Sequence, residues 1–186
     1  MSISIETEEH KIIQLCLEGD SEQYALLVDK YKSMAYNIAY RMVGDADIAK
    51  DMAQESFISA YASLERFQYG SKFSSWLYRI VVNKCKDHLR AERDTVQVDE
   101  ISDIVPSKER TPEQTVSSRQ TGDVIQQALN LLPEEYRDVI VLKHIEELDY
   151  REISDILGVS VNALKVRAHR GREMLRKLLE KMGARV

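Results

Sequence analysis

Apolar positions recur at spacings of three and four along most of the chain, the period of a helix that buries one face. Ile12, Ile13, Leu15 and Cys16 mark a first helix ending at Gly19-Asp20. Ser21 is placed to cap a second, whose stripe is Tyr24, Leu27, Val28, Tyr31, Ala35, Ile38 and Met42, with Gly44 as its stop. Asp45 or Asp47 caps a third, carrying Ile48, Met52, Phe57, Ala60, Tyr61 and Leu64. After the polar loop Gln68–Ser71, Ser74 is set to cap a fourth helix with Phe73 and Tyr78 as a hydrophobic staple. Its buried stripe is Leu77, Ile80, Val81, Cys85 and Leu89, and it is expected to run to Arg93. No segment sustains a period of two, so no β-sheet is expected.

The pattern fades from Asp94 to Thr121, where two prolines and mostly polar side chains replace it. Such a stretch buries too little to offset its ordering entropy and reads as a flexible linker. Beyond it, Val124, Ile125, Ala128, Leu129 and Leu132 resume a helical face, and Pro133 suits the first turn of a helix with Tyr136, Val139 and Ile140. The expected fold is all-α. Two small helical domains, 1–93 and 122–186, are joined by a flexible linker over 94–121.

The strongest local grammar lies near the C-terminus. Asp149-Tyr150-Arg151-Glu152 is a capping box, Ile153, Ile156 and Leu157 give the short helix a buried face, and Gly158 is placed to end it. Val159 is the apolar turn residue and Ser160 caps the next helix. Helix, short turn with glycine, helix is the helix-turn-helix unit. On the second helix Leu164, Ala168, Gly171, Leu175, Leu178 and Met182 share the core side. Asn162, Lys165, Val166, His169, Arg170 and Glu173 lie on the other, where the first turns of such a helix enter a major groove.

Charge first argues against nucleic acid and then, resolved along the chain, for it. The 186 residues carry 26 Lys and Arg against 31 Asp and Glu, a net charge of -5. Residues 122–159 have 3 basic and 9 acidic groups, whereas 160–186 have 8 basic and 2 acidic. The stretch Lys72–Arg93 is also positive, with 6 basic against 2 acidic groups. On its helix Arg79, Asn83, Lys86, Asp87 and Arg90 share one exposed face, with Trp76 a turn ahead. A polar, basic stripe beside a Trp suits single-stranded or distorted DNA; it equally suits a surface helix whose Trp is core.

Other chemistries find little support. The N-terminus lacks a basic-then-apolar signal pattern and no apolar run reaches a membrane span, so a cytoplasmic chain without direct membrane insertion is expected. Cys85-Lys86-Asp87-His88 has metal-like spacing but lacks the further ligands that zinc wants. No metal site, cofactor or catalytic residue is expected, so the chain is not read as an enzyme.

Four segments carry a resemblance: KDMAQESFISAY at Lys50–Tyr61, FSSWLYRIVVNKCKDHLR at Phe73–Arg90, LPEEYRDVIVLKHIEELDYREISDILGVS at Leu132–Ser160, and the basic helix after it. In this order they resemble bacterial RNA polymerase sigma factors of the extracytoplasmic-function (ECF) group, which keep only the second and fourth sigma domains. The resemblance implies a transcription initiation factor that binds core RNA polymerase and directs it to promoter DNA, with a stand-alone helix-turn-helix regulator as the alternative. It implies a core-polymerase contact at Asp47, Asp51, Gln54, Glu55 and Phe57. It implies recognition and melting of the minus-10 element by Tyr69, Ser71, Lys72, Trp76, Arg79, Asn83, Lys84, Asp87 and Arg90. It implies reading of the minus-35 element by Asn162, Ala163, Lys165, Val166, Arg167, His169 and Arg170. It also implies an anti-sigma factor as a partner. Two positions depart from the usual pattern: Val166 stands where many relatives have Ser, and Lys50 where an acid is common.

Overall fold

The computed structural model describes the backbone of residues 2–68, 70–99 and 118–184, and the side chains of 8–68, 70–93 and 122–184. Among these residues there are eight α-helices and no strand. They are α1 (Ser2–Leu17), α2 (Tyr24–Val43), α3 (Ala46–Ala62), α4 (Phe73–Asp99), α5 (Ser118–Asn130), α6 (Glu134–Ile140), α7 (Tyr150–Leu157) and α8 (Val161–Lys181).

The first unit is a bundle in which α2, α3 and α4 pack on one another and α1 lies against α2. Ile13, Leu27, Ile38, Met42, Phe73 and Leu77 are almost fully buried at its centre. Each such side chain contributes about 2 kcal/mol by leaving water. Asp45 accepts from the amides of Asp47 and Ile48 and starts α3. Gly44 stops α2 with φ 78°, a left-handed conformation that costs a residue with a Cβ. Two starts differ from the sequence reading. Ser21 begins a 3-10 turn that precedes α2, and no side chain caps that helix. The fourth helix begins at Phe73, so Ser74 lies inside it rather than capping it. It also runs six residues past the expected end at Arg93, because no Pro or Gly interrupts the chain between Phe73 and Pro106. The rest of the expected linker, 100–117, lies outside the described residues.

The second unit holds α5 to α8. Gly171 of α8 sits tight against α6; a Cβ there would lie 3.0 Å from Ile140 Cγ1. Leu129, Leu132, Ile140 and Val141 form a small cluster of their own. After α6 the chain widens into a π-helical turn over Val141–Ile145, which its sequence did not announce. The turn closes with the amides of Glu146 and Leu148 donating to the carbonyls of Val141 and Leu142, both at 3.0 Å.

The two units are not independent in packing. Val139, Leu142, Ile153, Ile156, Leu164 and Ala168 of the second belong to the same buried cluster as the core of the first. A small helical unit buries a limited fraction of its surface alone, and this shared cluster supplies the remainder. Polar contacts flank the seam: Arg41 donates to Gln126 at 3.1 Å, Gln126 donates back to the Arg41 carbonyl at 3.3 Å, and Arg137 donates to the Met42 carbonyl.

Candidate nucleic-acid interface

The helix-turn-helix is assembled by its caps. Asp149 Oδ1 accepts from the amides of Arg151 (2.7 Å) and Glu152 (2.9 Å), and Glu152 Oε2 accepts from the Asp149 amide (3.1 Å). Those backbone donors hold the Asp149 carboxyl below its usual range. Gly158, at φ 66°, ends α7, and Ser160 Oγ accepts from the Ala163 amide at 3.4 Å to start α8. Ile153 and Ile156 pack with Leu164 and Ala168 and fix the angle between the helices.

This leaves one face of α8 open. Asn162, Lys165, Val166, His169 and Arg170 are all exposed, and Ala163 is partly buried between them and the core. Val166 is 51% exposed, an apolar group in a polar field that suits a thymine methyl. Arg167 is turned partly inward, 3.2 Å from Glu135 of α6. Of the seven positions expected to read bases, five are therefore exposed, with His169 Nε2 3.9 Å from Glu173 one turn on.

The α4 face is more occupied. Asn83, Asp87 and Arg90 are exposed, with Arg90 Nη1 3.4 Å from Asp87 Oδ1. Lys84 is partly buried and lies 3.6 Å from Glu55 of α3, so expected core-binding and DNA-facing groups share a pair. Lys72 donates to Glu152 at 3.0 Å and Arg79 to the Asp155 carbonyl, both in α7. Trp76 is partly buried, its ring 5.5 Å from that of Phe67 and 5.7 Å from that of Phe73. Those ring contacts give Trp76 a packing role. Ser71 closes the preceding turn, its hydroxyl donating to the Gln68 carbonyl at 2.7 Å. Tyr69 lies outside the described residues.

One placement is corrected. Lys86, read as part of the exposed α4 face, is instead turned into the seam, with Nζ 2.7 Å from Asp138 Oδ2. Periodicity put it near the solvent side; the docking of α6 covers that side. Arg93 is also engaged, 2.5 Å from Glu134. The signal that finds these residues is a spacing of seven, Lys72, Arg79, Lys86 and Arg93, which lines one edge of the helix.

On α3, Asp47, Asp51, Gln54 and Glu55 are exposed on an outer edge, while Phe57 is buried. Phe57 lines an apolar groove of about 720 Å³ between α2 and α3, together with Tyr24, Val28, Tyr36, Ile58 and Tyr61. Ile58 is 61% exposed, so the groove continues onto the surface beside the acidic edge. Sequence reasoning missed Ile58 because it falls outside the core stripe of α3.

The cysteine motif resolves simply. Cys85 is wholly buried in the core, and burial pushes its thiol up to about 12, so it persists as a packed, unreactive thiol. No group of three or more metal-ligating side chains is found among the described residues.

Comparison with known proteins agrees with this arrangement. The Sigma-70 region 2 family model matches residues 27–95, and the Sigma-70, region 4 model matches 122–175. The ECF RNA polymerase sigma factor SigW of Bacillus subtilis (strain 168) is 40% identical over 180 residues, covering 91% of this chain and 95% of that protein. The RNA polymerase sigma-H factor of Pseudomonas aeruginosa is 30% identical, covering 93% and 94%. Among solved structures, the sigma factor RpoE of Bartonella quintana, in complex with the anti-sigma factor NepR, superposes with a TM-score of 0.69 at 27% identity, covering 87% of this chain and 97% of that one. CnrH in complex with the cytosolic domain of CnrY matches the fold with a TM-score of 0.69 at 23% identity, covering 91% and 96%. Identity on this scale, over nearly the full length of both chains, places the protein in the ECF group of RNA polymerase sigma factors.

Proposed function

We propose that the chain binds core RNA polymerase and directs it to promoters, with residues 1–93 and 122–186 as the two DNA-reading domains and 94–121 as their tether. The acidic outer edge of α3 (Asp47, Asp51, Gln54, Glu55), with Phe57 in the adjoining groove, is the core-binding surface. The α4 face and the loop before it, through Tyr69, Ser71, Lys72, Trp76, Arg79, Asn83, Lys84, Asp87 and Arg90, capture and hold open the minus-10 element. Opening duplex DNA costs a few kcal/mol per base, which base capture and phosphate contacts offset. The α8 face, Asn162, Ala163, Lys165, Val166, Arg167, His169 and Arg170, reads the minus-35 element in the major groove. The nucleotide chemistry belongs to the polymerase in this reading. The chain supplies positioning, needs no catalytic residue or cofactor, and works in the cytoplasm.

The observation that carries the reading is the run of exposed α8 side chains beyond a capped turn, on a chain whose overall charge is negative. Such a chain holds DNA weakly alone and depends on a large partner for affinity. An anti-sigma factor is the proposed regulator, supported by the RpoE–NepR complex among the structural relatives. The test is run-off transcription with core polymerase on a randomised promoter library. Enrichment of a two-part element, absent without the chain, is the expected result. A purified chain that footprints an operator alone and never co-elutes with core polymerase would instead be a stand-alone regulator.

A further inference from the structure

The groove between α2 and α3 changes character along its length. The two helices run antiparallel through the turn at Gly44-Asp45. Two contacts fix their register at one end: the Tyr24 hydroxyl donates to the Phe57 carbonyl at 2.8 Å, and the Tyr24 and Tyr61 rings lie 4.9 Å apart. That end is walled by Tyr24, Val28, Phe57, Ile58 and Tyr61. Further along α2, and correspondingly earlier in α3, the walls become Lys32, Ser33, Tyr36, Lys50 and Gln54. From Tyr24 to Tyr36 the groove is about 18 Å long, at the rise of an α-helix. It is therefore apolar at one end and cationic at the other.

The cations at that end are available. Lys50 is exposed, and among the described residues no carboxylate lies within ion-pair distance of it. Lys32, on the opposite wall, is 2.8 Å from Asp29, but both side chains are largely in water, where such a pair holds little. The outer edge of α3 is otherwise acidic at Asp47, Asp51 and Glu55. It repels a long anion such as nucleic acid, so the groove suits one negative charge at one end and not a row of them.

We propose that this groove binds a free long-chain carboxylate, its hydrocarbon between α2 and α3 and its head at Lys50 and Lys32. The volume of about 720 Å³ lies within the range of small-molecule sites, and the aromatic end offers the chain an escape from water. A bound chain covers Phe57 and Ile58, so ligand and core polymerase exclude each other. This consequence rests on the promoter-directing reading; the site itself does not.

The test is calorimetric titration of the full chain with tetradecanoate, kept below its micelle-forming concentration. Saturable binding at one site per chain is expected. Lys50→Glu should weaken it about tenfold, because an attraction becomes a repulsion, and Ile58→Ser by a similar factor through lost apolar contact. Leu26→Ser, at an exposed apolar position that does not line the groove, should leave it unchanged. Tetradecyltrimethylammonium, with the same chain and the opposite charge, should prefer Lys50→Glu to the wild type. No saturable binding overturns the proposal. So does binding indifferent to Lys50→Glu, or one that falls equally with Leu26→Ser, since the hydrocarbon would then be coating apolar surface at large. Co-elution with core polymerase, with and without saturating tetradecanoate, tests the consequence. Loss of co-elution with the ligand present is expected, and unchanged co-elution overturns the exclusion. A chain that fails to co-elute even without ligand overturns the core-binding reading and the exclusion with it, while the calorimetric result stands.

Discussion

Lys86 and Asp138 form an ion pair across the seam between the two helical units, Nζ to Oδ2 at 2.7 Å, with the Asp138 side chain only 2% exposed. Its second oxygen, Oδ1, has no hydrogen-bond partner. Asp138 therefore depends on Lys86 for much of its solvation. Removing one partner of a buried pair is far more damaging than replacing both. Lys86→Met is expected to destabilise the chain by about 3 kcal/mol, and Lys86→Met with Asp138→Leu to recover most of that loss. Urea denaturation of the two variants measures both. A single variant as stable as the wild type would show that the pair is solvated and incidental.

The same carboxyl predicts a pH dependence. Burial raises the Asp138 pKa above its ordinary 3.8, the charges of Lys86 and Arg137 draw it back, and Glu134 pushes it up further. The folded chain thus holds this proton more tightly than the unfolded one. The contribution is fully present below the unfolded value and is lost as pH rises through the raised one. Other carboxylates, such as Asp149 with its lowered pKa, act with the opposite sign, so the measurable quantity is a difference. The stability of the wild type relative to Asp138→Asn should grow as pH falls from about 7 to about 4. Paired denaturation curves with a flat or inverted difference would exclude a raised Asp138.

On the recognition helix, Lys165 and Arg170 are exposed on the face that leads away from the core. Truncating either to Ala should weaken upstream-element recognition by holoenzyme by about 1–3 kcal/mol if it reads a base in bidentate fashion. Selection from a randomised minus-35 segment separates the outcomes. Relaxed preference at one base marks a reader. A uniform loss at all bases marks a phosphate contact, and no change removes the residue from the interface.

Local features of this fold were legible because their causes are local. Gly44, Asp45, the Asp149–Glu152 box, Gly158 and Ser160 act within one turn of their own position, and each does in the structure what its residue type suggests. The α8 face was legible for the same reason. Ser74 failed as a cap because the helix begins at Phe73, two residues before the start that cap would set, and Phe73 packs with Phe67 and Trp76. The π-helical turn and the positive φ of Glu147 depend on how α6 docks, which no local pattern encodes. The largest miss was the seam. A spacing of seven among cations was visible, but periodicity assigns a helix edge without saying what will cover it. Gln126 and Asp138, polar by composition, are buried, and each bonds a residue of the other unit, Arg41 and Lys86 respectively.

Arg137 offers the sharpest test of that seam. Its guanidinium donates to the Met42 carbonyl in the last turn of α2 and to the Leu132 carbonyl at 3.2 Å, while burial lowers its pKa. The last carbonyls of a helix lack partners within it and carry its negative dipole end, so a cation from the second unit completes α2. Arg reaches two separate carbonyls with a planar fork, whereas Lys presents a single compact charge. Arg137→Ala is expected to cost about 2–3 kcal/mol, the range for hydrogen bonds to charged groups. Arg137→Lys should restore little of it, because charge alone cannot span both acceptors. Thermal melts together with energy transfer between the units give the readout. Stability and transfer should fall together in both variants. Full rescue by Lys would mean that charge near the α2 terminus matters and the fork does not.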